Sequence, residues 1–500
     1  MWKLRKLFWD LLLSAKFRAN KPREVPLPPD DERRLVPIRF DERYPSVPIR
    51  NIPVADHLPA DETDRLRLAF IRFQVWLYRH YPLNRPGLAE IDEDPFAAIT
   101  RAYPPVHRKI HAAPVLPKEY AEPVDLGELA VAGPYACYLE RRDGGTYEWD
   151  FGYLGDYEHH PGLRSLACRA VFRADGGRLA AVEIDSELGV SKPGDDSWPL
   201  AQKIALCAAT NDLSIVRHFN GIHLTAVSNV AMITRNNLPG DHPLRRLVWP
   251  HAWGTHYSNE LVTEIMLMPG GDFESVFSFT HRGLCKLLSD TYERYDVRVV
   301  DPVVDADRRG IRNGELELPY LENRRAHWDV MHDHARNYLG LYYRSDDELD
   351  ADQDAQAWLA ELDARIPGGI SEWLGKDIGV DDLARLVAGF IYLGSVEHEV
   401  LGTGLWNYQL WHHVQPTRIY TSGRRESIDV YQRLVNYNFI LNVHRTALCS
   451  DFSHMGLDPA AKTAFHDFRR ALEALQDRLD REEYATWKVS PRILESGVNG

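Results

Sequence analysis

Apolar residues recur at helical spacing over much of the chain. Between residues 61 and 81 the positions Leu66, Leu68, Phe70, Ile71, Phe73, Val75, Leu77 and Tyr78 predict an amphipathic helix. A longer amphipathic stretch runs from Asp381 to Glu397 and leads into His398. From about residue 198 onward the period is mostly helical. Before that, residues 136–139, 168–172 and 179–184 read as short strands around turns at Gly144-Gly145 and Gly176-Gly177. Residues 20–60 are rich in Pro, Arg and Asp and predict an extended wrap with little regular structure. The expected fold is mainly α: one large helical domain over residues 61–500 with a few short strands, preceded by a helix and wrap over residues 1–60. There is no internal repeat and no low-complexity tract.

Composition narrows the class. With 500 residues and 44% hydrophobic content the chain can bury a substantial core. The net charge of −14, from 59 basic and 73 acidic residues, argues against nucleic acid as a partner. The five cysteines, Cys137, Cys168, Cys207, Cys285 and Cys449, are dispersed and lack CxxC spacing, which favours buried thiols in a reducing compartment, hence a cytoplasmic protein. Met1 through Phe17 mixes basic and bulky apolar residues. It is too short to span a membrane, and Asp10 spoils it as a signal peptide. Two readings stay open for it, a helix lying on a membrane surface and a helix docked on the core.

The candidate chemistry lies in histidines. His218 and His223 share one helical stretch and His398 sits on another. Residues five apart on an α-helix point about 140° away from each other. One inserted residue, a π-bulge, would swing both imidazoles to one face, and such bulges concentrate at functional sites. Three imidazoles from two helices could then hold a divalent metal with open positions. The competing reading is chance pairing among 21 histidines.

The surroundings of these histidines decide between the two. Trp198-Pro199-Leu200-Ala201-Gln202-Lys203 precedes His218, and His242-Pro243-Leu244-Arg245-Arg246-Leu247-Val248-Trp249-Pro250-His251 follows His223. Gly270-Gly271-Asp272-Phe273-Glu274-Ser275-Val276-Phe277 comes next, then Trp328-Asp329, Tyr338, Tyr342-Tyr343-Arg344-Ser345-Asp346, Asp352, Gln356-Ala357-Trp358 and Glu361. In order and spacing this series resembles the lipoxygenases, over residues 198–417. Longer members carry an N-terminal β-sandwich; nothing before residue 60 reads as one, and that module is expected to be absent.

The resemblance implies a non-haem iron between two central helices, with iron expected before manganese. Its ligands would be His218, His223, His398 and the main-chain carboxylate of Gly500. The family's usual fourth side chain, an Asn or similar, falls four residues after His398, where this chain has Gly402; Glu399 and Asn407 are the nearest replacements. An Arg that meets the fatty-acid carboxylate in many members falls on Gln415, which has no charge to offer. The residue that sets stereochemistry should lie near residues 269–271, with Gly270 a candidate for the substrate pocket. The implied activity removes a hydrogen atom from a polyunsaturated fatty acid and adds O2 to give a hydroperoxide. A diverged oxygenase acting on an esterified or non-fatty-acid substrate, and a non-catalytic binding member, are the alternatives. His242 and His251 are expected to be structural, and His332, His334, His412 and His413 solvated or behind the ligands.

Overall fold

The computed structural model describes residues 24–63 and 117–498, apart from positions 31, 122, 403–405, 410 and 425–445, together with isolated helical positions before residue 24 and between 65 and 76. The strand signals resolve into two sheets. β1 (Pro37–Arg39) and β2 (Pro53–Ala55) pair antiparallel within the proline-rich wrap. A five-stranded antiparallel meander follows in sequence order: β3 (Glu140–Arg141), β4 (Thr146–Asp150), β5 (Arg169–Asp175), β6 (Arg178–Ser186) and β7 (Gly189–Ser191). Gly144, Gly145, Gly176 and Gly177 turn two of its hairpins at positive φ, where a side chain would be strained. Tyr147, Trp149, Ala170 and Phe172 are buried between the sheet and the helical body, as period-two alternation requires. Residues 136–139 do not join the sheet. Pro134 opens a 3₁₀ turn over Pro134–Tyr138, because its fixed φ and missing N–H suit the first position of a helical turn.

The rest is helical, as the sequence pattern implies. α1 (Trp198–Asp212) continues without a break through a π-helical stretch, Leu213–Val227, into α2 (Ser228–Asn237). Nearly every side chain from Ala201 to Arg235 is buried, the mark of a helix packed on all sides. α3 (Pro243–Ala252) packs on α2; α4 (Pro319–Leu339) lies along α5 (Val380–Tyr392). A short π-helical segment, Leu393–Glu397, joins α5 to α6 (His398–Leu401). The last long helix, α7 (Pro459–Leu479), covers the far side of α4.

Much of the recognisable sequence pattern serves this frame. His242 caps α3, its Nδ1 accepting the Leu244 N–H at 3.2 Å, so Nε2 carries the proton and donates to Asp352 at 3.1 Å. Tyr343 donates to the same Asp352 oxygen at 2.6 Å. Trp358 donates to Thr234 at 3.0 Å, and Asn237 to Glu361 at 2.6 Å, so the C-terminal end of the Tyr-Tyr-to-Glu run docks on α2. The wrap is fastened by charge. Arg235 of α2 meets Glu32, Asp61 and Glu62 at 2.6, 2.9 and 2.7 Å, and its guanidinium stacks on Trp249. The helices expected over residues 1–17 and 61–81 lie largely outside the described residues. Cys137, Cys168, Cys207 and Cys285 are buried, and no disulfide joins any of the five cysteines to another described residue.

Candidate metal centre

His218 and His223 both fall in the π-helical stretch. There hydrogen bonds run from residue i to i+5, so a five-residue step brings side chains to one face. The sequence pointed to a single bulge; the helix is instead π-helical over all of Leu213–Val227. Their ring centroids stand 4.9 Å apart. His398 follows its own π-helical segment and completes a near-equilateral triangle, 4.9 Å from His218 and 5.0 Å from His223. One ring nitrogen of each lies within 4.8 Å of the other two, and all three residues are buried.

The tautomer of His223 is fixed. Asn259, on the helix Thr255–Val262, donates its Nδ2 to the His223 carbonyl at 2.9 Å. That turns its Oδ1 toward His223 Nδ1 at 3.0 Å. An amide oxygen only accepts, so Nδ1 holds the hydrogen and Nε2 presents a lone pair. That lone pair faces His398 Nε2 at 3.1 Å. Two imidazole nitrogens bound at right angles to one ion at about 2.1 Å stand about 3.0 Å apart. Three imidazoles so arranged fit a first-row divalent metal. Asn259 escaped the sequence reading, because nothing in the chain's spacing ties it to a histidine 36 positions earlier.

Position 402 does face this triangle. A Cβ built on Gly402 would stand 3.0 Å from both Nε2 and Cε1 of His218 and 2.9 Å from the His398 carbonyl oxygen. Glycine leaves His218 its place. Glu399 is buried, with a carboxylate oxygen within 4.8 Å of both His398 and Glu495. The Asn407 side chain and Gly500 lie outside the described residues. The tail is described as far as Val498 and heads inward: the Ser496 carbonyl accepts from His251 Nδ1 at 2.5 Å, and Gly497 Cα lies 3.8 Å from the Cβ position of Gly394. Gln415 is fully buried; its Nε2 donates to Thr210 and its Oε1 has no partner among the described residues. Gly270 occupies an exposed turn at φ 73°; Gly271 is the buried one of the pair.

The other histidines divide. His242 and His251 are hydrogen-bonded at the two ends of α3, and burial pushes His251 down to about 4. His332 is half-buried and stacks on Trp328. His334 is not solvated. It is buried between α4 and α7, with its ring 4.1 Å from that of Phe468. His412 is half-buried, and burial lowers it to about 4.

Beside the triangle lies a cavity of about 460 Å³, whose wall includes Arg217, Ile222 and Glu397, the residues directly before His218, His223 and His398. Glu397 is held by Arg324 at 2.8 Å and by the Tyr392 hydroxyl at 2.9 Å, which pins the segment leading into His398. Gly402, Gln415 and Gly270 do not line this cavity.

The family model for lipoxygenases matches residues 188–438, half of the chain. Lipoxygenase 1, chloroplastic, of Tanacetum cinerariifolium is 24% identical over 49% of this chain and 30% of its own length. The human polyunsaturated fatty acid lipoxygenase ALOX15B is 22% identical over 68% of this chain and 52% of its own. A manganese lipoxygenase of Colletotrichum gloeosporioides is 27% identical over 53% and 45%. The chain thus spans between 30% and 52% of the length of these curated relatives. Among solved structures, coral 8R-lipoxygenase superposes with a TM-score of 0.74 at 16% identity, covering 98% of this chain and 80% of that one. A lipoxygenase crystallised anaerobically with arachidonate gives 0.76 at 15%, covering 98% and 82%. At such identity the likeness is one of fold.

Proposed function

Because this chain belongs to the lipoxygenase family, we propose that it is an oxidoreductase, a metal-dependent dioxygenase that converts a polyunsaturated fatty acid and O2 to a hydroperoxide. The observation that carries the reading is the convergence of His218, His223 and His398, with the His223 and His398 Nε2 atoms 3.1 Å apart. These three, joined by the Gly500 carboxylate, would hold the metal. When bound, a non-haem iron supplies the one-electron oxidation that makes a doubly allylic C–H bond breakable. The chain's own residues do the rest. Asn259 holds His223 in the tautomer whose Nε2 carries the lone pair that would ligate. Phe219, with its ring 5.8 Å from that of His223, continues through Phe273 and Phe277 as an apolar wall that keeps water from the centre.

The test is elemental analysis followed, on the same sample, by ultraviolet absorbance after linoleate is added in air. About one iron per chain and a rising conjugated-diene signal is the expected result. Manganese is measured alongside, since a relative bears that name. A metal-loaded protein that gives no diene from linoleate or arachidonate would sink the fatty-acid reading. The second reading is a diverged oxygenase acting on an ester, an amide or another lipid-like molecule. It is favoured by Gln415, buried and uncharged where an arginine would meet a carboxylate. Product from esters and not from free acids would select it.

No helix among the described residues is long and apolar enough to cross a membrane. Contact of residues 1–17 with a lipid surface, on a cytoplasmic protein, belongs to the proposal. Sedimentation of the full chain with anionic vesicles, lost on removing those residues, is the outcome it requires. The division at residue 60 is also proposed, and limited proteolysis that trims no further than that boundary would support it.

A further inference from the structure

The cavity beside the triangle contains an arginine in no direct ion pair with a described residue. Arg217 enters it with its guanidinium 4.6 Å from the centroid of the Tyr138 ring, and makes no hydrogen bond or ion pair with any described residue. Other arginines of the interior are committed: Arg235 to three carboxylates, Arg324 to Glu397, Arg309 to Asp305.

The acids in the same wall are already engaged. Asp212 accepts from the hydroxyls of Tyr138 and Tyr153. Asp296 is bound by Arg298 at 2.8 Å and Arg308 at 3.3 Å, Glu397 by Arg324, and Asp150 by the Gly152 N–H. Two more donors face the space. The Tyr295 hydroxyl is buried and has no partner among the described residues, and Arg294 stands at the exposed rim. Between them the wall is aliphatic, with Ile222, Leu393 and Leu401 on the two histidine helices and Val299 opposite. A volume of about 460 Å³ is in the range of small-ligand sites.

We propose that this cavity binds an aliphatic carboxylate, with Arg217 as its counter-ion. A planar guanidinium offers paired donors matched to a carboxylate, and a desolvated charge is stabilised by such a partner. The alkyl body lies on the aliphatic wall and Tyr295 donates the third hydrogen bond. The proposal supplies the charge that Gln415 lacks. The carboxylate comes either from the substrate itself, which rests on the reading above, or from a second fatty acid, which does not.

The test is calorimetric titration of the full chain with decanoate, a saturated acid that the proposed reaction leaves untouched, and with decanol as the uncharged control. Arg217→Gln should weaken decanoate about ten- to a hundred-fold and leave decanol unchanged. Val299→Trp, which fills the cavity from the wall away from the histidines, should weaken both, and it carries the test if Arg217→Gln melts early. Equal decanoate affinity in wild type and both variants, or no binding to wild type, overturns the site whatever the protein does with linoleate. Linoleate kinetics then identify the source. A raised KM with kcat kept in Arg217→Gln makes the carboxylate the substrate's own. An unchanged KM, with decanoate's effect on rate abolished, makes it a second molecule. Absence of linoleate turnover would sink the fatty-acid reading and leave the calorimetry standing.

Discussion

At the start of α3, His242 has a partner on each ring nitrogen, the Leu244 N–H on Nδ1 and Asp352 on Nε2. In the π-helical stretch, His223 has Asn259 on Nδ1, while its Nε2 faces another imidazole nitrogen at 3.1 Å. Both residues are buried, both are at home in the same helical body, and both stand in stretches that resemble one family. What separates them is the kind of partner at the second nitrogen. A buried polar atom ordinarily finds a complementary partner, and His242 does so inside the protein. Two imidazole nitrogens of different helices brought to 3.1 Å can share either a proton or a cation between them. The π-helical geometry that produces this juxtaposition is confined to the segments carrying the triangle and one other, Thr263–Leu267, among the described residues. Frame and site are therefore told apart by hydrogen-bond bookkeeping rather than by residue type.

Substitution should break the pair in opposite ways. His223→Ala or His398→Ala removes a third of the side-chain ligation, and elemental analysis should find the metal lost or bound more than about a hundred-fold more weakly. His242→Ala should keep the metal and cost about 1–3 kcal/mol of stability, through the lost cap and the lost donor to Asp352. Retained stoichiometric metal in both ligand variants would refute the distinction.

A smaller effect is expected at Gly402. Adding one methyl group there presses on the His218 ring at 3.0 Å and on the His398 carbonyl oxygen at 2.9 Å, so the backbone turn must shift as well. Gly402→Ala should weaken the metal about ten-fold, as perturbing a ligand's support does, and lower the melting temperature slightly. Unaltered affinity would mean that His218 has room to retreat.

The sequence carried the helical class, both histidine helices and the fact that position 402 faces the site, because each rests on a helical period read along one element. It did not carry Asn259, since that contact is made by packing one helix against another. Nor did it carry the full length of the π-helical stretch, which depends on how the helix is gripped on all sides. Residues 136–139 have strand-like composition, but Pro134 and the preceding Gly133 redirect the backbone into a 3₁₀ turn. His334 was hidden by its polar neighbours. His332, Asp333 and Arg336 surround it in the sequence, yet it lies on the stripe of α4 that meets Phe465 and Phe468 of α7.

His334 gives the comparison a third case, a histidine held by aromatic packing. Its ring lies 4.1 Å from that of Phe468, nearly parallel at 11°. Burial lowers it to about 3, with nearby His251 adding to the effect. The unfolded chain takes up a proton there near pH 6.5, and the folded chain refuses it until far lower. The stabilisation is therefore whole above about pH 6.5 and is lost as pH falls, by up to about 1.4 kcal/mol per unit, until the folded value is reached. His334→Phe keeps an aromatic ring on Phe468 and removes the proton site. At pH 7.5 the variant should melt close to wild type, and at pH 5 it should be the more stable by about 2 kcal/mol. His251, His256 and His327, lowered by burial to about 4, 3 and 4, give both proteins a common acid slope, so the difference between the two curves isolates His334. Parallel curves from pH 7.5 to 5 would show that its proton is taken up without cost, and that the aromatic slot between α4 and α7 admits water.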